Sequence, residues 1–375
     1  MINPIETWLA SLKTSKRTQI ITIIVAVICF GIFGYTTYAL YQNQQPATTN
    51  TTTTNKHKTK KTINTTTNNT NATESLVSPR RLDGIIVATA DANKVPACVM
   101  IENAAFDGVR PQAGLSSAQV VYEIIVEGGI TRLMGVFGGE HADKVGPVRS
   151  ARDTYLEFAS EYHCGYFHAG GSFTAMQAIR NFDLRDVDGL LEPKWFWRDA
   201  GRPSPHNLFT STDNMYNAIS GGHSWTDTPT FASWKFVDDS DIPSGPVATE
   251  VNIGFGGSYD VKYMYNTDNK YYERYNGGAA HTDFNTGKIL TARNIIIEHV
   301  PAGVWLEGKG RINFDVTDSG NVDIIHDGVV TSGFWKKDNR EARTHFVNGD
   351  GLELPLARGN SWVELVPDGY GVAWK

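Results

Sequence analysis

Residues Ile20 to Tyr41 run for 22 positions without a charge and are rich in Ile, Val and Phe. At 1.5 Å per residue such a segment, as a helix, is long enough to cross a bilayer. It therefore predicts one transmembrane helix with everything after it on one side. A cleaved signal peptide has a shorter apolar core and a small-residue exit, whereas this span ends in Tyr38, Leu40 and Tyr41. Cys29 is preceded by Ile28, where a lipobox needs a small residue, so a lipid anchor is not expected there. Lys13, Lys16 and Arg17 abut the span, while Lys56, Lys58, Lys60 and Lys61 begin about fifteen residues beyond it. The nearer charges predict a tail inside over 1–19, a span over 20–41 and a body outside.

Residues 42–81 are mostly Thr and Asn and read as a flexible stalk, because they offer too little apolar surface to offset the entropy of ordering. The N-x-T triplets at Asn64, Asn68 and Asn71 arise from that composition and carry little weight. Charge divides sharply here. Residues 1–81 hold nine Lys/Arg and two acids; the remaining chain holds 25 and 38. A body this acidic disfavours nucleic acid as a partner.

The body reads as α+β: a layered sheet-and-helix module over 82–228, a linker over 229–246 and a mainly β module over 247–375. Val95 to Glu102 is a near-continuous apolar run ending in polar residues, the pattern of a buried strand. Val120–Glu127 and Ile130–Phe137 flank Gly128-Gly129, which predicts a hairpin with a two-residue link. That register sets Glu127 opposite Ile130, Ile125 opposite Arg132 and Glu123 opposite Met134. One face then carries Glu123, Arg132 and Glu127, and the other Tyr122, Ile124, Val126, Thr131 and Leu133. Glu123 and Glu127 lie about 13 Å apart on one strand, too far for a glycosidase pair without a third carboxylate such as Glu102.

Gly146-Pro147-Val148-Arg149-Ser150-Ala151-Arg152-Asp153 leads into a helix with apolar Tyr155, Phe158, Ala159 and Tyr162; Ser150 is the expected N-cap. Arg149 and Arg152 thus bracket a helix N-terminus, an arrangement suited to phosphate or carboxylate unless neighbouring acids such as Asp153 neutralise it. His168-Ala169-Gly170-Gly171-Ser172 starts a second helix. This turn can cradle an anion, but it lacks the Gly-x-Ser-x-Gly of a nucleophile elbow, so Ser172 reads as an N-cap. Arg198–Asn207, with His206, is a polar Pro-containing loop of the kind that lines sites. His168, His206 and Glu102 show no metal-ligand spacing, and neither metal nor cofactor is expected. Cys98 and Cys164 sit in apolar runs; a bond between them requires neighbouring strands, which spacing alone leaves open. Beyond Val247, alternating strands are expected at 261–265, 271–275, 289–299, 311–316, 322–325 and 362–366. Arg274, His281, Asp283, Trp335, Lys336 and Trp362 stand out there, the aromatics as packing in preference to sugar stacking.

Together, Met100-Ile101-Glu102-Asn103, Arg110-Pro111-Gln112-Ala113-Gly114-Leu115, Val126 through Arg132, Gly146 through Arg152, His168 through Ser172 and Pro205-His206-Asn207-Leu208 resemble the YerB-like bacterial envelope proteins. The resemblance continues through Tyr272-Glu273-Arg274, His281-Thr282-Asp283, Gly333-Phe334-Trp335 and Asn360-Ser361-Trp362-Val363. It implies a layered α+β fold in two modules outside the cytoplasmic membrane, and no reaction. Many such proteins look like lipoproteins; this chain has an apolar span instead. Three readings follow. The first is an anchored module that binds an anionic cell-wall polymer or precursor through Arg132, Arg149, Ser150, Arg152, Gly170, Gly171, Ser172 and Asn207. The second is a hydrolase or transferase on envelope glycan or peptide, with His168 or His206 as base and Glu102 or Glu127 as acid or orienting group. The third is a scaffold in which these charges pair internally.

Overall fold

The computed structural model describes residues 76–239, 244–306 and 310–375. The expected span at 20–41 and the stalk expected over 42–81, as far as residue 75, lie outside them; the end of that stretch is corrected, since Val77–Pro79 form a strand paired with Ile86–Ala88 and Arg80 is buried against Asp83 and Glu140. Among the described residues no helix is long and apolar enough to cross a membrane.

A ten-stranded mixed sheet organises the body. In chain order its strands are β1 Ala97–Glu102, β2 Val120–Ile125, β3 Thr131–Phe137, β4 Gly165–His168 and β5 Asp186–Asp188, then β9 Asn294–Val300, β10 Asp318–His326, β11 Val329–Lys337, β12 His345–Val347 and β13 Ser361–Pro367. They lie side by side as β12-β11-β10-β9-β13-β2-β3-β1-β4-β5. Residues from both halves therefore share one sheet. β13 is its keystone, parallel to β9 on one side and to β2 on the other, with Trp362 between Ile295 and Val121. A second sheet comprises β6 Glu250–Gly254, β7 Val261–Asn266, β8 Tyr271–Asn276 and β14 Gly371–Trp374, with short strands at Ala279–Ala280 and Thr291–Ala292.

The large sheet is covered on both faces, which is why its central strands read as apolar runs with little alternation; every residue of β1, β2 and β3 is buried. On one face α1 Asp153–Tyr162 and α2 Phe173–Asn181 pack Tyr155, Phe158, Ala159 and Ile179 onto Cys98, Met100, Tyr122 and Met134. On the other, Val251, Val261, Tyr263 and Tyr272 of the second sheet meet Val121, Ile125, Leu133 and Trp362. The fold is α+β with a mainly β C-terminal part, as expected. Cys98 and Cys164 are disulfide-bonded, their Cα atoms 5.8 Å apart, because β1 and β4 are parallel neighbours.

Two local expectations are corrected. The hairpin link holds three residues: Glu127–Gly129 form a 3₁₀ turn, Gly128 and Gly129 both have φ of 70°, and Val126 N–H donates to Ile130 C=O. The extra residue slips the register by one, so Ile124, not Ile125, opposes Arg132. A slip of one turns side chains to the opposite face. Arg132 therefore lies on the helix side with Tyr122 and Ile124, and Glu123 points the other way, toward the second sheet. Secondly, the residue capping α1 is Arg152, not Ser150, whose hydroxyl instead donates to Ala169 C=O at 3.0 Å.

Candidate functional site

At the carboxyl ends of β1 and β4 the two strands part, and residues 147–151 enter the gap. Arg149 N–H donates to Met100 C=O, Glu102 N–H to Pro147 C=O and Ala169 N–H to Arg149 C=O. On its other side, Val148 N–H donates to Leu208 C=O, which draws the polar loop bearing His206 to the same strand end. Glu102, Arg149 and His206, distant in sequence, thus converge. One oxygen of Glu102 lies 3.0 Å from Arg149 Nε and the other 2.8 Å from His206 Nδ1. The carboxylate is 2% exposed, while Arg149 and His206 are 25% and 18% exposed. Glu102 is the fixed centre; its two partners face solvent, and His206 Nε2 makes no protein hydrogen bond among the described residues.

A second ion cluster adjoins. Glu127 receives the Arg152 guanidinium in a two-pronged pair and lies 3.8 Å from Arg132. Burial raises the Glu127 carboxyl, but the Arg152 hydrogen bonds and the Arg132 charge outweigh it and hold the group at about 2. Arg132 donates to Ser150 C=O at 3.2 Å, and its Nε is buried without a partner. Burial, followed by repulsion from Arg152, lowers Arg132 to about 10. Three guanidiniums, of Arg132, Arg149 and Arg152, thus gather around the carboxylates of Glu102 and Glu127 at this strand end.

The remaining candidates are engaged by the protein itself. His168 is fully buried, its Nδ1 2.8 Å from Gly170 C=O and its Nε2 against the Asp186 carboxylate, so neither nitrogen is free to act as a base. Gly170 N–H donates to Asp188, Gly171 bridges Ala151, and Ser172 caps α2 through Ala175 N–H while its hydroxyl donates to Asp153. That helix start is filled by internal carboxylates. Asn207 accepts from Arg198 and donates to Asp199 C=O, shaping the loop.

One network was not expected from sequence. Glu123 and Glu364 oppose each other on β2 and β13, both fully buried, and Arg274 of β8 reaches in from the second sheet to pair with Glu123. Arg274 Nε donates to Tyr263, whose hydroxyl donates to Glu364; the guanidinium also stacks 4.2 Å from Trp362. Since Arg274 can only donate, His281 Nδ1 accepts from it, and His281 Nε2 donates to Gln112 Oε1 at 2.8 Å. Burial and the two arginines push His281 well below its usual range. Arg274 alternates inward with Tyr272 and Asn276 on β8. That period-2 pattern was the available signal for a buried cation.

Residues 82–224 match the model described as "Protein of unknown function (DUF3048) N-terminal domain", and residues 251–363 match the DUF3048 C-terminal domain. The chain is 29% identical over 297 residues to "Putative lipoprotein YerB" of Bacillus subtilis (strain 168), covering 76% of this chain and 86% of that protein. The crystal structure of the YerB protein from Bacillus subtilis superposes with a TM-score of 0.69 at 27% identity, over 78% of this chain and 98% of that one.

Proposed function

The chain belongs to the YerB-like family, and from that premise we propose that it is an envelope protein, anchored by residues 20–41 with its body outside, that binds an anionic cell-wall polymer or precursor at the Glu102–Arg149–His206 strand end. The observation that carries this reading is Arg149. Its Nε lies 3.0 Å from a buried carboxylate, its side chain is a quarter exposed, and the charges of Arg132 and Arg152 stand behind it. Arg149 Nε approaches Glu102 as an ion pair without a hydrogen bond, and no protein acceptor takes the terminal N–H groups among the described residues, which leaves them for phosphate or carboxylate. Arg152, spent on Glu127, contributes field in place of direct contact. Poly(glycerol phosphate) immobilised on beads should retain the protein at low salt and release it as ionic strength rises. Arg149→Ala should weaken retention about tenfold, by analogy with charge-assisted contacts. Unchanged retention rejects the reading.

Anchoring and orientation rest on the apolar span, on the basic residues before it and on a relative whose name includes lipoprotein. The disulfide fits an oxidising compartment. A reporter fused after Lys375 should be active only outside the cytoplasm, and external protease should cut between residues 43 and 75. Cytoplasmic reporter activity refutes the orientation.

One observation favours a second reading, a hydrolase or transferase on envelope glycan or peptide. Glu102 holds His206 by Nδ1 and leaves Nε2 without a hydrogen bond, the arrangement of a carboxylate-oriented general base. Wild type should then release wall fragments and His206→Ala should not. Equal release by both, or release by neither, removes it.

A further inference from the structure

Beside the His206 loop, whose imidazole meets Phe106 edge-on at 6.0 Å between ring centroids, is a second cleft of about 450 Å³, between the 105–111 loop and the second sheet. Three features mark it as built for a ligand. The first is Arg110, which donates from Nε to Asn103 Oδ1, from one terminal nitrogen to Asn103 C=O and from the other to Ser258 C=O. All three acceptors are neutral. Among the described residues Arg110 has no carboxylate within ion-pair distance, although it is half-buried and burial lowers its proton affinity. Two of its five N–H groups remain unused. The second is Asn276, 5% exposed, which lines the cleft with Oδ1 buried and unpartnered; such an acceptor is costly to leave unsatisfied.

The third is a bare strand edge. Ala279–Ala280 is the outermost strand of its sheet, exposed, and also lines the cleft. His281 N–H donates to Arg274 C=O, so positions 281 and 274 form a hydrogen-bonded site; Ala280, paired with Tyr275, falls at the adjacent non-bonded site. In antiparallel pairing the N–H and C=O of such a residue turn away from the sheet. Ala280 therefore presents one donor and one acceptor to the cleft. Phe106, 57% exposed, provides an apolar wall.

We propose that this cleft binds the C-terminal end of an extended peptide: the free carboxylate on Arg110, the backbone of the preceding residue paired with Ala280, and, on a rotation of the Asn276 amide that brings Oδ1 into the cleft, a peptide N–H donated to that oxygen. A free anion matches Arg110 alone. An extended peptide acid matches all three features, joining strand addition to carboxylate capture. The site does not depend on the Arg149–His206 reading.

The test is calorimetric titration of the full chain in mild detergent with tri-alanine, with tri-alanine C-terminal amide and with inorganic phosphate. The acid should bind at least about tenfold tighter than the amide, because amidation removes the negative charge that pairs with the guanidinium. Ala280→Pro removes only an outward N–H on an edge strand, a position that tolerates proline. It should weaken the acid and leave wild-type melting behaviour. Arg110→Lys should weaken the acid as well. No heat with the acid, equal affinity for acid and amide, or an Ala280→Pro protein that folds and binds the acid as wild type overturns the proposal. So does phosphate binding as tightly as the acid, which would reduce the cleft to an anion site. Arg149→Ala should leave acid binding unchanged, and its failure on polymer does not bear on this result.

Discussion

Glu102 and Glu298 are both carboxylates with almost no exposure, yet their surroundings give them opposite parts. Glu102 has a cation or ring on each oxygen. Glu298, on the helix side of β9, has Oε1 buried and unpartnered, and burial followed by repulsion from Glu161 of α1 raises it to about 8. Its affinity for a proton is thus higher in the folded state than in the unfolded chain. The associated stability is fully present below about pH 4.5, the ordinary value, and is lost as pH rises through about 8. Glu298→Gln, the neutral isostere, should melt within a degree or so of wild type at pH 5 and a few degrees above it at pH 8.5. Parallel melting curves across that range would show that Glu298 does not titrate on folding. Glu127 has the reverse sign: held at about 2, its contribution is present above about pH 4.5 and lost as pH falls toward 2. At this scale the sequence disclosed which residues carry charge, but not whom they meet. Glu102 and Arg149 were legible as polar residues beside a strand end. The His206 contact spans 104 positions and depends on the Leu208 pairing that no local pattern encodes.

Strands and helices were legible where one period ruled. α1 shows the 3.6-residue spacing of Tyr155, Phe158, Ala159 and Tyr162, and all four are buried. β11 was missed because Thr331-Ser332-Gly333 interrupts its apolar alternation, and its pairing with β10 on one side and β12 on the other overrides that weak propensity. The hairpin was found but its register was not, since two glycines permit either a two- or a three-residue link and only the packed faces decide. The disulfide is a property of elements too: it ties β1 to the entry of β4 across a separation of 66 residues that includes the hairpin and α1. Closing a loop of that size restricts the unfolded chain by about 4 kcal/mol. Replacing Cys98 and Cys164 together with Ser should lower the denaturant midpoint and steepen the slope, because the unfolded chain is no longer cross-linked, with a loss of stability of that order. A loss below about 1 kcal/mol would mean the reduced chain keeps the strands together unaided.

At the scale of the molecule, the two matched regions meet in one sheet. The family boundary falls between residues 224 and 251, but β13 from the far C-terminus is inserted between β9 and β2. A fragment ending near residue 246 would leave the edge of β2 bare from Val120 to Glu123, uncover Val121, Ile125 and Leu133, and deprive Glu123 of Arg274. The complementary fragment would keep Arg274 and Glu364 without the opposing carboxylate, with one edge of β13 open. Long apolar edges are aggregation sites, and a buried ion pair that loses one member costs several kcal/mol. Residues 76–246 and 247–375 expressed separately should therefore be insoluble or lack a cooperative melt, whereas co-expression should yield a soluble one-to-one complex held by the β2–β13 pairing. Replacing Val363, whose register partner is Tyr122, with Pro should abolish that complex by removing a donor in mid-sheet. A monomeric N-terminal fragment with a sharp thermal transition would show that the shared sheet is a docking of two self-sufficient halves, and that the Glu123–Arg274 pair forms after folding instead of during it.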